Sequence, residues 1–412
     1  MGDAAGTAAP APESGRANRD TTTPAPATEP FMAPFGDRPV PLTPFQAALP
    51  GLAKDEVDTP ALVLDLDRFE RNAAHMAALL RGLGLGWRPH SKAHKSPQIA
   101  RRQLQLGAIG VTCAKVGEAE VMVEYGIPSV LIANEQSAPS KFDRIAALNR
   151  RAEVITCADD PIHVALASAA ALVAGVEIPM LVELNVGQER AGLPPGPRAV
   201  ELARLIAATP GIRLAGIMGW EGHLPTVWPA EERERRCREA MEPLVETKRR
   251  IEADGIPVPI VSGAGSGTHG ATGLIAGMTE IQAGAACLMD RFYGEQCHLE
   301  GEFEYALSIV SRVVSRPVPN RAIVDAGFKT MSGGEMGMPL AVGLPGAVIT
   351  ELSAEHGHVA LAPEARDLRI GDRVEWIPGY SDTTTFLHNQ FVGIRDGRVT
   401  AVLPLLGRGL LT

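Results

Sequence analysis

Arg88-Pro89-His90-Ser91-Lys92-Ala93-His94-Lys95 places two lysines, two histidines and an arginine within eight residues, directly behind the apolar segment Leu83 to Trp87. A strand that ends in such a cluster reads as an active-site edge, where an amine can attack a carbonyl and an imidazole can carry a proton. A second feature, Ser262-Gly263-Ala264-Gly265-Ser266-Gly267, follows the apolar run that begins at Val258. Its glycines let backbone N–H groups close on an anion and its serines add hydroxyl donors, which together suit a phosphate. Taken alone, a Gly-rich turn is equally well a tight turn, and the octapeptide reads more simply as surface lysines at a helix start.

These residues need elements that bring them together. From Leu83 onward, short apolar runs alternate with longer segments of helical period. Candidate strands are 86–90, 109–113, 129–133, 153–157, 179–186, 213–218, 258–262 and 280–283. Between them lie 96–106, 115–125, 140–150, 161–175, 198–208 and 229–254, long enough for crossover helices. Eight such units predict a (β/α)8 barrel, with a doubly wound sheet as the alternative that periodicity does not separate. After about Gly301, strand-like runs at 309–314, 321–324, 347–352, 359–361, 373–377, 391–395 and 398–403 are separated by Gly, Pro and Asp turns, with Asp396-Gly397 a hairpin signal. The fold class is therefore α/β plus all-β: a barrel over 69–300 and an antiparallel β domain over 301–412, with a strand near 61–66, inside segment 46–68, free to pair with the latter.

In a barrel the reactive groups stand where strands end. That gathers His90, Lys92 and His94, then Lys115, Asn134-Glu135, Asp159, Gly187 to Arg190, then Trp220, Glu221 and His223, and finally the turn from Ser262. A strand-end lysine beside a phosphate cradle suggests a Schiff base with pyridoxal phosphate, whose carbonyl needs an amine and whose phosphate needs an anchor.

Composition narrows the setting. With 412 residues, 45% hydrophobic and 21% charged, the chain is a soluble globular type large enough for two domains. A net charge of −9 disfavours nucleic acid or an anionic membrane as partner. The longest apolar run, 164–176, is too short to span a bilayer and reads as a buried helix. Five scattered cysteines with no C-x-x-C pair suggest neither disulfides nor structural zinc, which fits a cytoplasmic protein. Residues 1–45, rich in Ala, Pro, Thr and Gly and without a signal-peptide core, are expected to be a disordered tail.

From about Asp58 to Gly409 the chain resembles the D-threonine aldolase and D-serine dehydratase-like family, pyridoxal-phosphate enzymes of the alanine-racemase-like fold type. The matching pieces include Asp58-Thr59-Pro60-Ala61, the octapeptide, Ala114-Lys115-Val116-Gly117-Glu118, Asn134-Glu135 and Gly187-Gln188-Glu189-Arg190-Ala191-Gly192. The turn at Ser262, Gln282-Ala283-Gly284, Met289-Asp290, Asp325-Ala326-Gly327-Phe328-Lys329 and Glu355-His356-Gly357 continue the match. The resemblance implies that Lys92 forms the Schiff base, that Arg190 contacts the cofactor's phenolic oxygen, and that Ser262, Gly263, Gly265, Ser266, Gly267, Gly284 and Ala285 hold its phosphate. His94 would orient the lysine or exchange protons, or be structural. A small amino acid would be the substrate and a homodimer the assembly.

Two positions depart from the family. Its divalent metal, Mn²⁺ or Mg²⁺, is bound in a Pro-x-His-x-Asp stretch, whereas here Pro378-Gly379-Tyr380-Ser381-Asp382 keeps the aspartate and replaces the histidine. A neutral phenol, with a pKa of about 10, is a poor ligand for such an ion. Either Asp382 holds a metal with His388, His223 or a Tyr380 phenolate, or the site works without one and Tyr380 serves as acid or base. The second departure is Trp220-Glu221-Gly222 in place of Tyr-His-Gly. The expected activity is cleavage of a D-configured β-hydroxy-α-amino acid into glycine and an aldehyde. Alternatives are dehydration of D-serine or D-3-hydroxyaspartate, metal-free racemisation by Lys92 and Tyr380, and cofactor binding without turnover.

Overall fold

A strand belonging to neither neighbour in sequence, β1 (Ala61–Asp65), leads into a ring of eight parallel strands in the computed structural model, which describes residues 30–35, 38–334 and 336–412. The ring comprises β2 (Gly86–Trp87), β3 (Val111–Cys113), β4 (Ser129–Ile132), β5 (Glu153–Ala158), β6 (Ile178–Glu183), β7 (Ile212–Met218), β8 (Ile260–Gly263) and β9 (Glu280–Ile281). Their order is β2-β9-β8-β7-β6-β5-β4-β3, and a parallel bridge between His90 and Thr112 joins the two ends. This closure gives the predicted barrel and excludes the doubly wound alternative.

Alternation explains the ring. Leu131, Ile155, Cys157, Leu181 and Ala215 fill the interior, while Val130, Val154, Met180 and Ile217 pack outward on the helices. The crossover helices Pro97–Gln105, Pro139–Leu148, Pro161–Ala174 and Pro197–Ala208 each begin with proline, whose fixed φ suits a first helical position. The helix Pro161–Ala174 is not wholly buried as expected. Val164, Ala167 and Ala171 face the core, but Leu172 and Val173 are exposed, because the Ala-rich run supplies only one packed face.

The remaining strands are β10 (Leu307–Val318), β11 (Arg321–Val324), β12 (Leu340–Ala341), β13 (Ala347–Leu352), β14 (Gly357–Leu361), β15 (Arg373–Ile377), β16 (Gln390–Arg395) and β17 (Arg398–Pro404). With β1 they form one sheet, ordered β11-β14-β13-β12-β15-β10-β1-β16-β17, and β10 also pairs with β11. β1 runs antiparallel to β10 and parallel to β16, so the strand before the barrel belongs to the C-terminal sheet. Only β12 is unforeseen, since two residues offer no alternation to read.

Of the expected tail, residues 1–29 and 36–37 lie outside the described residues. Disorder does not extend through residue 45: Phe31 is buried against Phe69 and beneath Arg102, and Arg101 donates to the Ala33 carbonyl at 2.7 Å. One aromatic anchor seats this proline-rich stretch. All five cysteines are buried and free. Among the described residues no helix is long and apolar enough to cross a membrane.

Asn72, on the helix Leu66–Gly82, ties that helix to the chain leaving the barrel. Its amide donates to the carbonyls of Cys287 (3.2 Å) and Glu304 (2.8 Å), and its oxygen accepts from the Glu304 N–H (2.9 Å). Asn72→Ala strands these groups away from water, so urea unfolding should show a loss of roughly 2–4 kcal/mol; a change below about 0.5 kcal/mol would mean that water replaces the amide.

Candidate active site

A cavity of about 280 Å³ opens at the carboxyl ends of the barrel strands. Its wall begins with the octapeptide. His90 caps a 3₁₀ turn, Ser91–Ala93, by accepting the Lys92 N–H on Nδ1 at 3.3 Å, and Ser91 donates to the Thr112 carbonyl at 2.9 Å. Burial and the neighbouring cations hold the His90 imidazole well below its usual pKa. Lys92 lines the cavity with its amine 5.5 Å above the Trp220 ring and 3.3 Å from Asp382 Oδ2. Lys95, at φ 50°, turns away and pairs with buried Glu118.

His94 is not among the cavity residues. It is buried with Nδ1 accepting the Ser96 N–H at 3.1 Å, and burial lowers its pKa to about 3, so it is a neutral packing group in a turn that ends at Ala93. His90, one strand-end position earlier, takes the cavity face instead.

Arg190 lines the cavity, its guanidinium 4.9 Å over the Trp220 ring and 3.8 Å from Glu183 Oε1. Glu183 ends β6 and is buried; desolvation and the facing Glu135 carboxyl raise its pKa. An acid closing the apolar run Met180-Leu181-Val182 was a legible signal, since buried carboxyls are rare without partners. Glu135, Cys157 and Glu183 gather within 4.8 Å of one another at the barrel mouth.

Opposite Lys92, the cradle is narrower than expected. Ala264, Gly265, Ser266, Gly284 and Ala285 line the cavity, whereas Ser262, Gly263 and Gly267 do not. Ser262 accepts from the Gln282 amide at 2.9 Å, Gly263 packs on the Gly219 carbonyl, and Gly267 packs on Pro225, so these three shape the turn from behind. A Cβ on Gly284 would lie 2.3 Å from the His90 carbonyl oxygen, which explains the glycine and locks the cradle to the lysine turn.

The β domain supplies the last wall. Tyr380 donates to Asp382 Oδ2 at 3.0 Å, and its ring lies 6.1 Å from Tyr293, a cavity residue that no sequence pattern marks beyond its place after Asp290. Burial and the adjacent Asp382 push the Tyr380 phenol above its usual pKa. Buried Asp290 fixes the segment by accepting the Ser381 N–H at 2.6 Å and the Tyr293 N–H at 2.9 Å.

The comparisons with known proteins follow this architecture. The alanine racemase N-terminal domain matches residues 64–291, more than half of the chain, and a serine dehydratase domain matches 306–394. The 3-hydroxy-D-aspartate aldolase of Paracoccus denitrificans (strain Pd 1222) is 36% identical over 372 residues, 88% of this chain and 95% of that protein. The crystal structure of D-threonine aldolase from Filomicrobium marinum superposes with a TM-score of 0.86 at 36% identity, covering 89% of this chain and all of that one. The chain belongs to the D-threonine aldolase and 3-hydroxyaspartate aldolase/dehydratase family. More distant is the D-threo-3-hydroxyaspartate dehydratase of Delftia sp. (strain HT23), 28% identical over 352 residues, 80% of this chain and 92% of that protein.

The cavity fits the family's cofactor. One end offers the Lys92 amine and the Arg190 guanidinium; at the other, no protein acceptor is found among the described residues for the backbone N–H groups of Ser266, Gly284 and Ala285. Unpaired buried N–H groups are rare, and three on one wall suit a phosphate. The donors at Asp382, by contrast, do not fit a divalent ion. Tyr380 spends its proton on Asp382, the Lys92 amine stands beside the same oxygen, and His388 is bonded to the Thr330 carbonyl at 2.7 Å. His223 packs beneath Gly187, and among the described residues no trio of His, Cys, Asp or Glu includes Asp382.

Burial raises the Asp290 pKa from 3.8 to about 7, against the hydrogen bonds from Ser381 and Tyr293 that lower it. Asp382, Tyr380, Tyr293, Tyr305 and Cys297 are titratable groups around it. The folded state therefore holds the proton more tightly than the unfolded chain, so this contribution is fully present below about pH 4 and lost as pH rises through about 7. Urea unfolding of wild type and Asp290→Asn at pH 5 and 8 should show wild type losing stability relative to the variant as pH rises; a pH-independent difference refutes the assignment.

Proposed function

We propose that the protein is a pyridoxal-phosphate-dependent lyase that cleaves a D-configured β-hydroxy-α-amino acid into glycine and an aldehyde. The observation that carries this reading is Lys92: its amine lines the cofactor-sized cavity and meets Asp382 from the β domain at 3.3 Å. A group that can exchange with a substrate amine thus stands beside one that can take a hydroxyl proton.

When bound, the cofactor supplies an aldehyde for amine exchange and a ring that accepts the electron pair left on Cα. The N–H groups of Ser266, Gly284 and Ala285 would hold its phosphate, and Arg190, steadied by Glu183, would face its phenolic oxygen. Lys92 would hold the cofactor between turnovers and, once displaced by the substrate amine, would be free to carry a proton.

Relatives at 36% identity are aldolases, and the dehydratase stands at 28%. Racemisation needs bases on opposite faces of the cofactor, but here the Lys92 amine and the Tyr380 hydroxyl meet the same oxygen of Asp382. The reading also includes a cytoplasmic homodimer.

Purified protein with pyridoxal phosphate should show the visible absorption of a lysine-bound cofactor and release aldehyde from D-threonine, D-phenylserine or D-3-hydroxyaspartate. Lys92→Ala should lose both. A retained absorption band removes Lys92 from its role, and keto-acid formation without aldehyde favours dehydration.

A further inference from the structure

Asp382 has two oxygens with different surroundings. Oδ2 accepts the Tyr380 hydroxyl at 3.0 Å and faces the Lys92 amine at 3.3 Å. Oδ1 is buried and has no hydrogen-bond partner. Such a lone acceptor is costly unless something arrives to use it. The other oxygen, Oδ2, ties the same carboxylate to the cavity through Lys92, which lines it.

We propose that Asp382 Oδ1 is the base that takes the substrate's β-hydroxyl proton, with Tyr380 as its positioning residue, so that this enzyme breaks the Cα–Cβ bond without a divalent metal. The inference rests on the lyase reading and adds how the hydroxyl is activated. A metal requires lone pairs free of protons. The residue nearest Asp382 is a phenol already donating to it, and among the described residues no trio of His, Cys, Asp or Glu includes Asp382. A carboxylate in this setting is a proton acceptor rather than half of a metal site.

The step balances without a co-reactant. The β-hydroxyl proton passes to Asp382 Oδ1, and the O–H pair becomes the second carbon–oxygen bond of the aldehyde. The Cα–Cβ bond breaks with its pair remaining on Cα. A proton returned to Cα, from Asp382 or from the Lys92 ammonium, completes glycine. No oxidant or reductant enters.

Tyr380 acts through Oδ2. Its hydrogen bond fixes the rotamer that presents Oδ1. The phenol itself is held by packing: its ring stands edge-on to Phe292 at 5.5 Å, and its backbone N–H donates to Ser332 Oγ at 3.1 Å.

The test uses holoenzyme stripped with EDTA and a chelating resin, then assayed for aldehyde from D-threonine and D-phenylserine with and without added Mn²⁺, while Mn²⁺ binding is followed separately by electron paramagnetic resonance. Wild type should keep its rate after stripping and bind no stoichiometric Mn²⁺. Asp382→Asn should lower kcat by about 10²- to 10⁴-fold with the visible cofactor band intact. Tyr380→Phe should lower kcat more than it changes KM, because the carboxylate loses the partner that fixes its orientation. Tyr380→His, which places an imidazole lone pair two residues from Asp382, should bind Mn²⁺ and become sensitive to EDTA. Loss of wild-type activity on stripping with recovery in Mn²⁺, or stoichiometric Mn²⁺ binding that Asp382→Asn abolishes, would overturn the proposal. Absence of aldehyde from every substrate would sink the lyase reading together with the base role, whereas the Mn²⁺ titrations decide the metal question by themselves.

Discussion

The active site depends on a joint between two sheets. Lys92 follows a barrel strand and Asp382 follows β15 of the other sheet, so nothing in either sheet alone brings them within 3.3 Å. The joint is made by residues 290–293 against 378–381. Arg291 and Phe292 donate backbone hydrogen bonds to the carbonyls of Pro378 and Gly379, at 3.1 and 3.0 Å, and the Asp290 carboxylate captures the N–H of Ser381. Gly379 permits the approach, because a Cβ there would lie 2.0 Å from the Gly337 carbonyl oxygen. Hydrogen bonds to a buried carboxylate are worth about 1.5–3 kcal/mol each. Such a clamp holds a short loop to the tolerance that proton transfer demands.

Two cations share the lysine end of the cavity. Lys92 and Arg190 both stand over the Trp220 ring, whose face is attractive to cations. Each also has a carboxylate from a different element, Asp382 for the lysine and Glu183 for the arginine. The arrangement sets each cation against its own acidic side chain as well as the shared indole face. Trp220, which departs from the family's tyrosine, has a structural reason as well: its indole packs over Gly265, where a Cβ would stand 3.1 Å from Nε1.

Much of this was legible in the chain. Eight apolar runs with crossover helices between them specified the barrel because each strand is buried on both faces, and Gly-Pro-Asp punctuation marked the change to antiparallel strands after residue 301. Lys92 and Arg190 were among the strand-end residues, but the family resemblance, not their location, singled them out. Other features escaped for physical reasons. His94 could not be separated from His90 by composition, since a single 3₁₀ turn decides which imidazole looks inward. Ser262, Gly263 and Gly267 share the glycine-rich pattern with the residues that line the cavity, but their position on the far side of the turn is tertiary information. The anchoring of Phe31 in a proline-rich segment depends on a pocket built from Phe69 and Arg102, which no local pattern announces.

The same joint bears on the choice between cleavage and dehydration. Cleavage removes a proton from the β-hydroxyl, whereas dehydration removes the hydroxyl itself, and hydroxide is a poor leaving group without a Lewis acid or a proton donor. Asp382 is arranged to accept: one oxygen is already charge-assisted by Tyr380 and Lys92, and the other has no donor. Tyr380, the one phenol bonded to that carboxylate among the described residues, gives its hydrogen to Asp382 and not to the cavity. A site with an acceptor in place and its nearest donor turned inward is matched to taking a proton from oxygen, and that asymmetry favours breaking the carbon–carbon bond over expelling the hydroxyl.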